Sequence, residues 1–353
     1  MDSISNSDKM DWGEIGRLSE ICEVSSLIFR NAKTLNLLPE DLSAKFGTIY
    51  HKTALGNLQA LKETLEIIKL MADHGIPTIP LKGTFAGDFV FGDLGVYPSC
   101  DIDVLVHPDL LSKAEKLLCE HLNYHPVEGY CRSDLKKNHY HLILKRRMVL
   151  EVHWNLVKRY FNIPAEFWWK TSNNVKWNNI PAIDLSIENH ILYYVFRLFD
   201  HCFFPLRFFV LLAGTIEKNA DKIDWNLLLQ TAQLYRMKRL LIYTLRVTGD
   251  LMGSPVPDCV ANVRLKGYVY FKSLVFSGLF TGVNRKHLRM LLYTLILIQP
   301  SIAIKVVLGR LFPSKGEIRL RYNLPSASKK VYLYQIFNPI LLFFISQKEN
   351  GLA

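Results

Sequence analysis

The stretch Asp101-Ile102-Asp103-Val104-Leu105-Val106 constrains this chain more than any other. Its apolar and β-branched residues predict a strand. Strand side chains alternate faces, so Asp101 and Asp103 point one way while Ile102 and Val104 point into a core. Two carboxylates fixed side by side repel each other unless a cation sits between them. Hard divalent cations prefer such oxygen ligands, and Mg²⁺ combines one or two carboxylates with substrate phosphates. Cys100, next to Asp101, is expected on the opposite face as a buried hydrophobe.

The flanking sequence builds a small α/β unit around that strand. Apolar residues recur every three or four positions over residues 43–74, which predicts a long helix stopped by Gly75 and Pro77. Ile79-Pro80-Leu81 reads as a short strand, with the proline at a strand start or edge. A Lys82-Gly83 turn follows, and residues 86–91 have helical character. A glycine turn leaves backbone N–H groups open to a phosphate, and Lys82 offers a point charge. Pro108 opens a helix over 109–121, and the alternating runs 139–144 and 149–154 flank a Lys-Arg-Arg-Met turn, which predicts a hairpin.

Glu151 lies in an otherwise apolar strand, Val149-Leu150-Glu151-Val152. An acid there is costly without a cation or water, so it is expected as a third metal carboxylate. His153 shares its face by period-two alternation and could meet acceptor or metal, as could His141. Strand histidines, His139 included, are more often structural, and Trp154 is expected in the core.

Beyond Trp154 helical periodicity dominates, over 191–199, 208–216 and 225–241, with Ser186-Ile187-Glu188 as a start signal and a short strand near Val175. With 49% hydrophobic residues the 353-residue chain can bury a large core, which excludes a disordered protein. Six scattered cysteines without a CxxC pair support neither a disulfide framework nor a zinc site. No signal peptide is seen, so a cytoplasmic setting is expected.

The charge is lopsided. Residues 231–353 carry 18 Lys and Arg against 4 Asp and Glu, more than the whole net charge of +11. The apolar runs within 288–312 and 331–344 fall short of the roughly 18 continuous residues that a spanning helix needs. The favoured expectation is a second domain of core helices with basic outer faces. The alternative is a peripheral contact with an anionic membrane surface, at the inner face of the membrane. No nucleic-acid module is recognisable, so nucleic acid is not an expected partner.

Leu81-Lys82-Gly83, then Asp101 to Val106, then Glu151-Val152-His153-Trp154 together resemble the bacterial uncharacterised nucleotidyltransferases, of the DNA polymerase β-like superfamily. Residues 224–228, 311–313 and 319–322 also look like that family's later region. The resemblance implies an α+β fold: a small mixed β-sheet nucleotidyltransferase core over 76–185. It is flanked by an N-terminal helical segment, 1–75, and a mainly helical, basic C-terminal region, 186–353. It implies an enzyme that moves a nucleotidyl group from an NTP such as ATP, with Mg²⁺ or Mn²⁺, to a hydroxyl or phosphate of a small-molecule, saccharide or peptide acceptor. Asp101, Asp103 and Glu151 would be the catalytic, metal-binding carboxylates, and Lys82, Gly83, Thr84 and His153 would contact the nucleotide or acceptor. Thr84 stands where the superfamily has a serine. Tyr97 stands where many members of the family carry an arginine, four residues before the first Asp. Two alternatives are transfer of a sugar or sugar phosphate, and a degenerate, non-catalytic protein that binds a nucleotide or partner while its basic surface docks on membrane or polyanion.

Overall fold

The computed structural model describes residues 10–33, 35, 37–126, 142–280, 286–325 and 327–344. Three helices open the chain: α1 (Trp12–Ile21), α2 (Ser25–Lys33) and α3 (Glu40–Asp73). Gly75, at φ +68°, terminates α3. Ile76 N–H donates to Met71 O at 2.8 Å and Gly75 N–H to Ala72 O at 3.0 Å, a Schellman stop that turns the chain straight into the sheet.

The sheet holds β1 (Thr78–Pro80), β2 (Asp101–Val106), β3 (His125–Pro126), β4 (Leu142–Lys145) and β5 (Val149–His153) in the order β1-β2-β5-β4-β3. Only β2 and β5 run parallel; the other pairs are antiparallel. Between β1 and β2 the short helix α4 (Thr84–Ala86) passes into a π turn over Gly87–Phe91, and α5 (Leu111–Leu122) follows β2. The predicted hairpin is present as β4 and β5, while His139 and His141 lie outside the described residues.

Both faces of this sheet are buried. Ile102, Val104 and Val106 pack with Ala60, Ile67 and Met71 of α3 and with Ala114 and Leu118 of α5. Trp154 is half-buried against the same cluster. Ile79, Leu81 and Leu105 face the other way and join a larger core that runs on through the helices of the C-terminal half. Each such side chain contributes about 1.5–3 kcal/mol by leaving water. The carboxylate face is therefore an internal surface, and Asp103 lies inside it.

Helix α6 (Glu166–Lys170) and the hairpin β6 (Asn173–Trp177) with β7 (Ile180–Asp184) lead into α7 (Ile187–Asp200) and α8 (Arg207–Lys218). Ser186 caps α7, its hydroxyl accepting from Asn189 N–H at 3.3 Å. The single helix expected over 225–241 is instead two, α9 (Trp225–Leu234) and α10 (Lys238–Met252). Arg236 takes a left-handed conformation, φ +59°, and Met237 N–H donates back to Ala232 O at 2.7 Å. The break keeps the apolar spacing, so periodicity does not reveal it. Helices α11 (Asp258–Ala261), α12 (Tyr268–Phe280), α13 (Lys286–Leu297), α14 (Pro300–Leu311), α15 (Lys315–Arg321) and α16 (Lys330–Phe344) complete the chain. The fold is α+β, a small mixed sheet enclosed by helices, as the resemblance implied. Among the described residues no helix is long and apolar enough to cross a membrane.

Candidate functional site

Strand register assembles the acidic group. In the parallel pair, Asp103 lies opposite Glu151 and Leu105 opposite His153, so the side chains of Asp101, Asp103, Glu151 and His153 project from one face. His153 Nε2 lies 2.8 Å from Asp103 Oδ1 and 3.4 Å from Glu151 Oε2. One ligand atom from each of Asp103, Glu151 and His153 falls within 4.8 Å of the others, a set compatible with a divalent cation. The two acidic side chains supply hard oxygen donors that suit Mg²⁺ or Mn²⁺, while His153 Nε2 is engaged with Asp103 and orients it.

The cation beside the carboxylates is Lys82. Leu81 N–H donates to Asp103 O at 2.9 Å, which extends the β1–β2 pairing past Pro80 and carries the next residue over the acidic face. Lys82 Nζ then lies 2.9 Å from Asp103 Oδ2 and 3.6 Å from Asp101 Oδ2. Gly83 follows at φ +66°, and a Cβ there would meet Ser99 Oγ at 2.6 Å. Ser99 Oγ in turn donates to Asp101 O at 2.8 Å, so the glycine is required both by conformation and by close approach. Thr84 begins α4 directly after it.

The charges sort by depth. Burial raises Asp103, but the Lys82 charge and the His153 hydrogen bond outweigh it and hold the carboxyl below its ordinary value. Asp101 moves the other way: burial and the adjacent Asp103 charge raise it, and Lys82 offsets them only in part. Burial lowers Lys82, while Asp103 and Asp101 together raise it further. His153 is likewise raised, its burial outweighed by hydrogen bonds to Asp103 and Glu151. Asp103 is the anchored charge of the group; Asp101 and Glu151 remain 33% and 22% exposed at their side chains and reach open space.

That space is a cavity of about 300 Å³ between the sheet and the helices. Lys82, Asp101 and Glu151 line one wall; Arg197 and Asp200 of α7 and Arg207 of α8 line the other. The buried Arg197 Nε has no hydrogen-bond partner. Asp200 is held by Lys158 Nζ at 2.5 Å and Arg310 Nη2 at 3.4 Å. Arg207 Nη1 donates to Pro98 O at 2.8 Å, its Nε pairs with Glu23 at 2.7 Å, and its guanidinium lies over the Tyr97 ring. Where the resemblance implies an arginine at 97, the ring of Tyr97 is thus covered by an arginine from another element. The three helical residues escape sequence reasoning because they lie 46 to 106 positions from the carboxylates on other elements. Their one signal is Arg197 and Asp200, charged positions in the apolar stretch that makes up the second half of α7.

Cys100 differs from expectation. It is exposed and borders the cavity, because β2 begins at Asp101 and strand alternation does not extend to the loop before it.

The class is that of the nucleotidyltransferases: the family model described as "Uncharacterised nucleotidyltransferase" matches residues 8–253. The chain belongs to that family. The match ends at Gly253, after α10, so residues 311–313 and 319–322 fall outside it. No curated protein matches the chain. Among solved structures, the antibiotic-resistance factor ANT(2'')-Ia is similar at 14% identity and a TM-score of 0.37, over 50% of this chain and 92% of its own.

Proposed function

We propose that the protein transfers a nucleotidyl group from an NTP to a hydroxyl or phosphate of a small-molecule, saccharide or peptide acceptor. The observation that carries this reading is the convergence of Lys82, Asp101 and Glu151 at the wall of one cavity, with Asp103 buried directly behind them against Lys82 and His153. Asp101, Asp103 and Glu151 would hold Mg²⁺ or Mn²⁺, with His153 fixing the orientation of Asp103. When bound, the metal supplies charge neutralisation for the triphosphate and the leaving oxygen. Glu151, with part of its side chain open to the cavity, takes the acceptor proton as the acceptor oxygen bonds to the α-phosphorus. The bond to the β-phosphate oxygen breaks, and pyrophosphate leaves. Lys82, Gly83 and Thr84 form the turn on the phosphate side, and Arg197 offers its unpartnered Nε–H to the same anion.

The division into 1–75, 76–185 and 186–353 is part of this proposal, with the middle segment supplying the carboxylates. A cytoplasmic setting also belongs to it, supported by the absence of a disulfide among the described cysteines.

A second reading has its own support. Because Lys82 already sets one resident cation beside Asp101 and Asp103, a nucleotide- or partner-binding protein could work there without a metal. Incubation with the four common NTPs, Mg²⁺ or Mn²⁺, and pooled hydroxyl acceptors, read by product mass and pyrophosphate release, separates the two. Metal-dependent pyrophosphate release supports transfer. Nucleotide binding that ignores the metal and yields no pyrophosphate sinks it.

A further inference from the structure

Helices α12 to α16 expose apolar surface where the chain is most basic. Of the 21 large hydrophobic side chains that are exposed among the described residues, 13 lie beyond residue 268, in the last quarter of the chain. On α14 the inward side buries Ile302, Ala303 and Val306, while Ile304 and Leu308 stand 61% and 51% exposed four residues apart. Phe312 extends the same stripe by four more. Helix α16 repeats the pattern: Val331 and Asn338 are buried, and Leu333, Ile336, Phe337 and Ile340 are outside.

Polar contacts tie α16 to the C-terminal end of α14. Asn338 Nδ2 donates to Leu311 O at 2.8 Å and Arg310 O at 3.1 Å, and Gln335 Nε2 donates to Pro313 O at 2.8 Å. The polar groups at this seam face inward, and the apolar outer stripes are exposed among the described residues. A scatter of single exposed apolar residues is ordinary, but a concentration along neighbouring segments of one region marks an interaction surface.

Charge selects the occupant. Residues 286–344 contain nine Lys and Arg and one acid, Glu317. That acid is consumed locally: its carboxylate accepts from Ser314 N–H at 2.9 Å, and Ser314 Oγ accepts from Glu317 N–H at 3.2 Å, a capping box for α15. Lys305, Lys315, Lys329 and Lys330 are exposed beside the apolar stripes. A second copy of this chain, packed face to face, would set these cations against one another with no acid to pair them. A surface that is apolar within and anionic at its rim satisfies both features, and a bilayer containing anionic lipid has that construction. The proline at 339 and the shortness of each helix keep them on such a surface rather than across it.

We propose that α14 and α16 form a peripheral docking face for an anionic lipid bilayer, with Ile304, Leu308, Ile336 and Phe337 entering the acyl boundary and the flanking lysines at the headgroups. This face lies outside residues 8–253 and is independent of the chemistry at the carboxylates.

The test is flotation of the full chain with vesicles of phosphatidylcholine alone or mixed with phosphatidylglycerol, at low and high salt. The wild type should float with the mixed vesicles and not with the neutral ones, and less well at high salt. Ile304→Asp with Ile336→Asp, and separately Lys329→Glu with Lys330→Glu, should each lower the bound fraction roughly tenfold. Because all four side chains are exposed, both variants should keep the wild-type circular dichroism and melting temperature. Failure of the folded wild type to float with anionic vesicles overturns the proposal. So does flotation that the aspartate pair leaves unchanged, since apolar entry would then be absent. A wild-type dimer in lipid-free buffer that the aspartate pair converts to monomer would assign the face to a second copy instead.

Discussion

Lys82 Nζ lies 2.9 Å from Asp103 Oδ2, with the lysine side chain 10% exposed and the aspartate fully closed to solvent. The pair answers the like-charge problem posed by Asp101 and Asp103 from within the chain. It also makes the lysine the group that any incoming divalent cation must share the carboxylates with.

Replacing Lys82 with Met should therefore leave an uncompensated buried charge. A loss of about 3–5 kcal/mol in unfolding free energy is expected by analogy with other broken buried pairs. Mn²⁺ should restore more stability to the variant than it adds to the wild type, because it meets carboxylates with no resident counter-ion. Denaturant melts with and without metal measure this. Equal stability of the two proteins in the absence of metal would remove Lys82 from the role.

Asp101→Asn should separate function from stability. Burial and the neighbouring Asp103 charge raise this carboxyl, so its ionised form is disfavoured in the fold. Removing the charge should leave the melting temperature unchanged or higher, while NTP-dependent product falls below detection. Full turnover by the folded variant would show that Asp101 is not a catalytic ligand.

Arg197 should matter for binding rather than for folding. Its buried Nε is without a hydrogen-bond partner, so truncation breaks no protein hydrogen bond there. Arg197→Ala is expected to weaken NTP affinity by about 1.5–3 kcal/mol, the range for hydrogen bonds to charged groups, or roughly ten- to a hundredfold. Arg197→Lys should recover only part of this, since an ammonium cannot offer the planar fork. Calorimetric titration with NTP decides; unaltered affinity in both variants would place the phosphates elsewhere.

The Asp200 cluster predicts a step at acid pH. Burial raises Asp200, but Lys158, Arg310 and His201 outweigh it and hold the carboxyl far below its ordinary value. A depressed folded-state value contributes stability that is complete above the unfolded value of about 3.9 and is lost as pH falls below it. Asp200→Asn should thus be less stable than wild type at neutral pH, with the gap narrowing below pH about 4. Urea midpoints for both proteins across that range test it, and a gap independent of pH would refute it.

Most of the sheet and its acidic face were legible in the chain because both depend on local order. Alternation sufficed for the strand Asp101–Val106, and the apolar run around Glu151 exposed that acid as misplaced unless it met a cation. The stop at Gly75 was likewise local, a left-handed residue after a long periodic helix. Reading failed where a boundary fell between residues of similar type. Cys100 lay one position before the strand, and the break at Arg236 preserved apolar spacing on both sides.

By itself the sequence determined which side chains share a face: Asp101 with Asp103, and Glu151 with His153. Those relations follow from the fixed period of a strand. Only the tertiary structure decided what each face meets. Parallel pairing of β2 with β5 set Asp103 opposite Glu151. Packing of α7 and α8 brought Arg197, Asp200 and Arg207 to the same cavity from elsewhere in the chain. It also left the stripes of α14 and α16 uncovered, because contact between elements depends on the burial of the whole core and not on the period of any one of them.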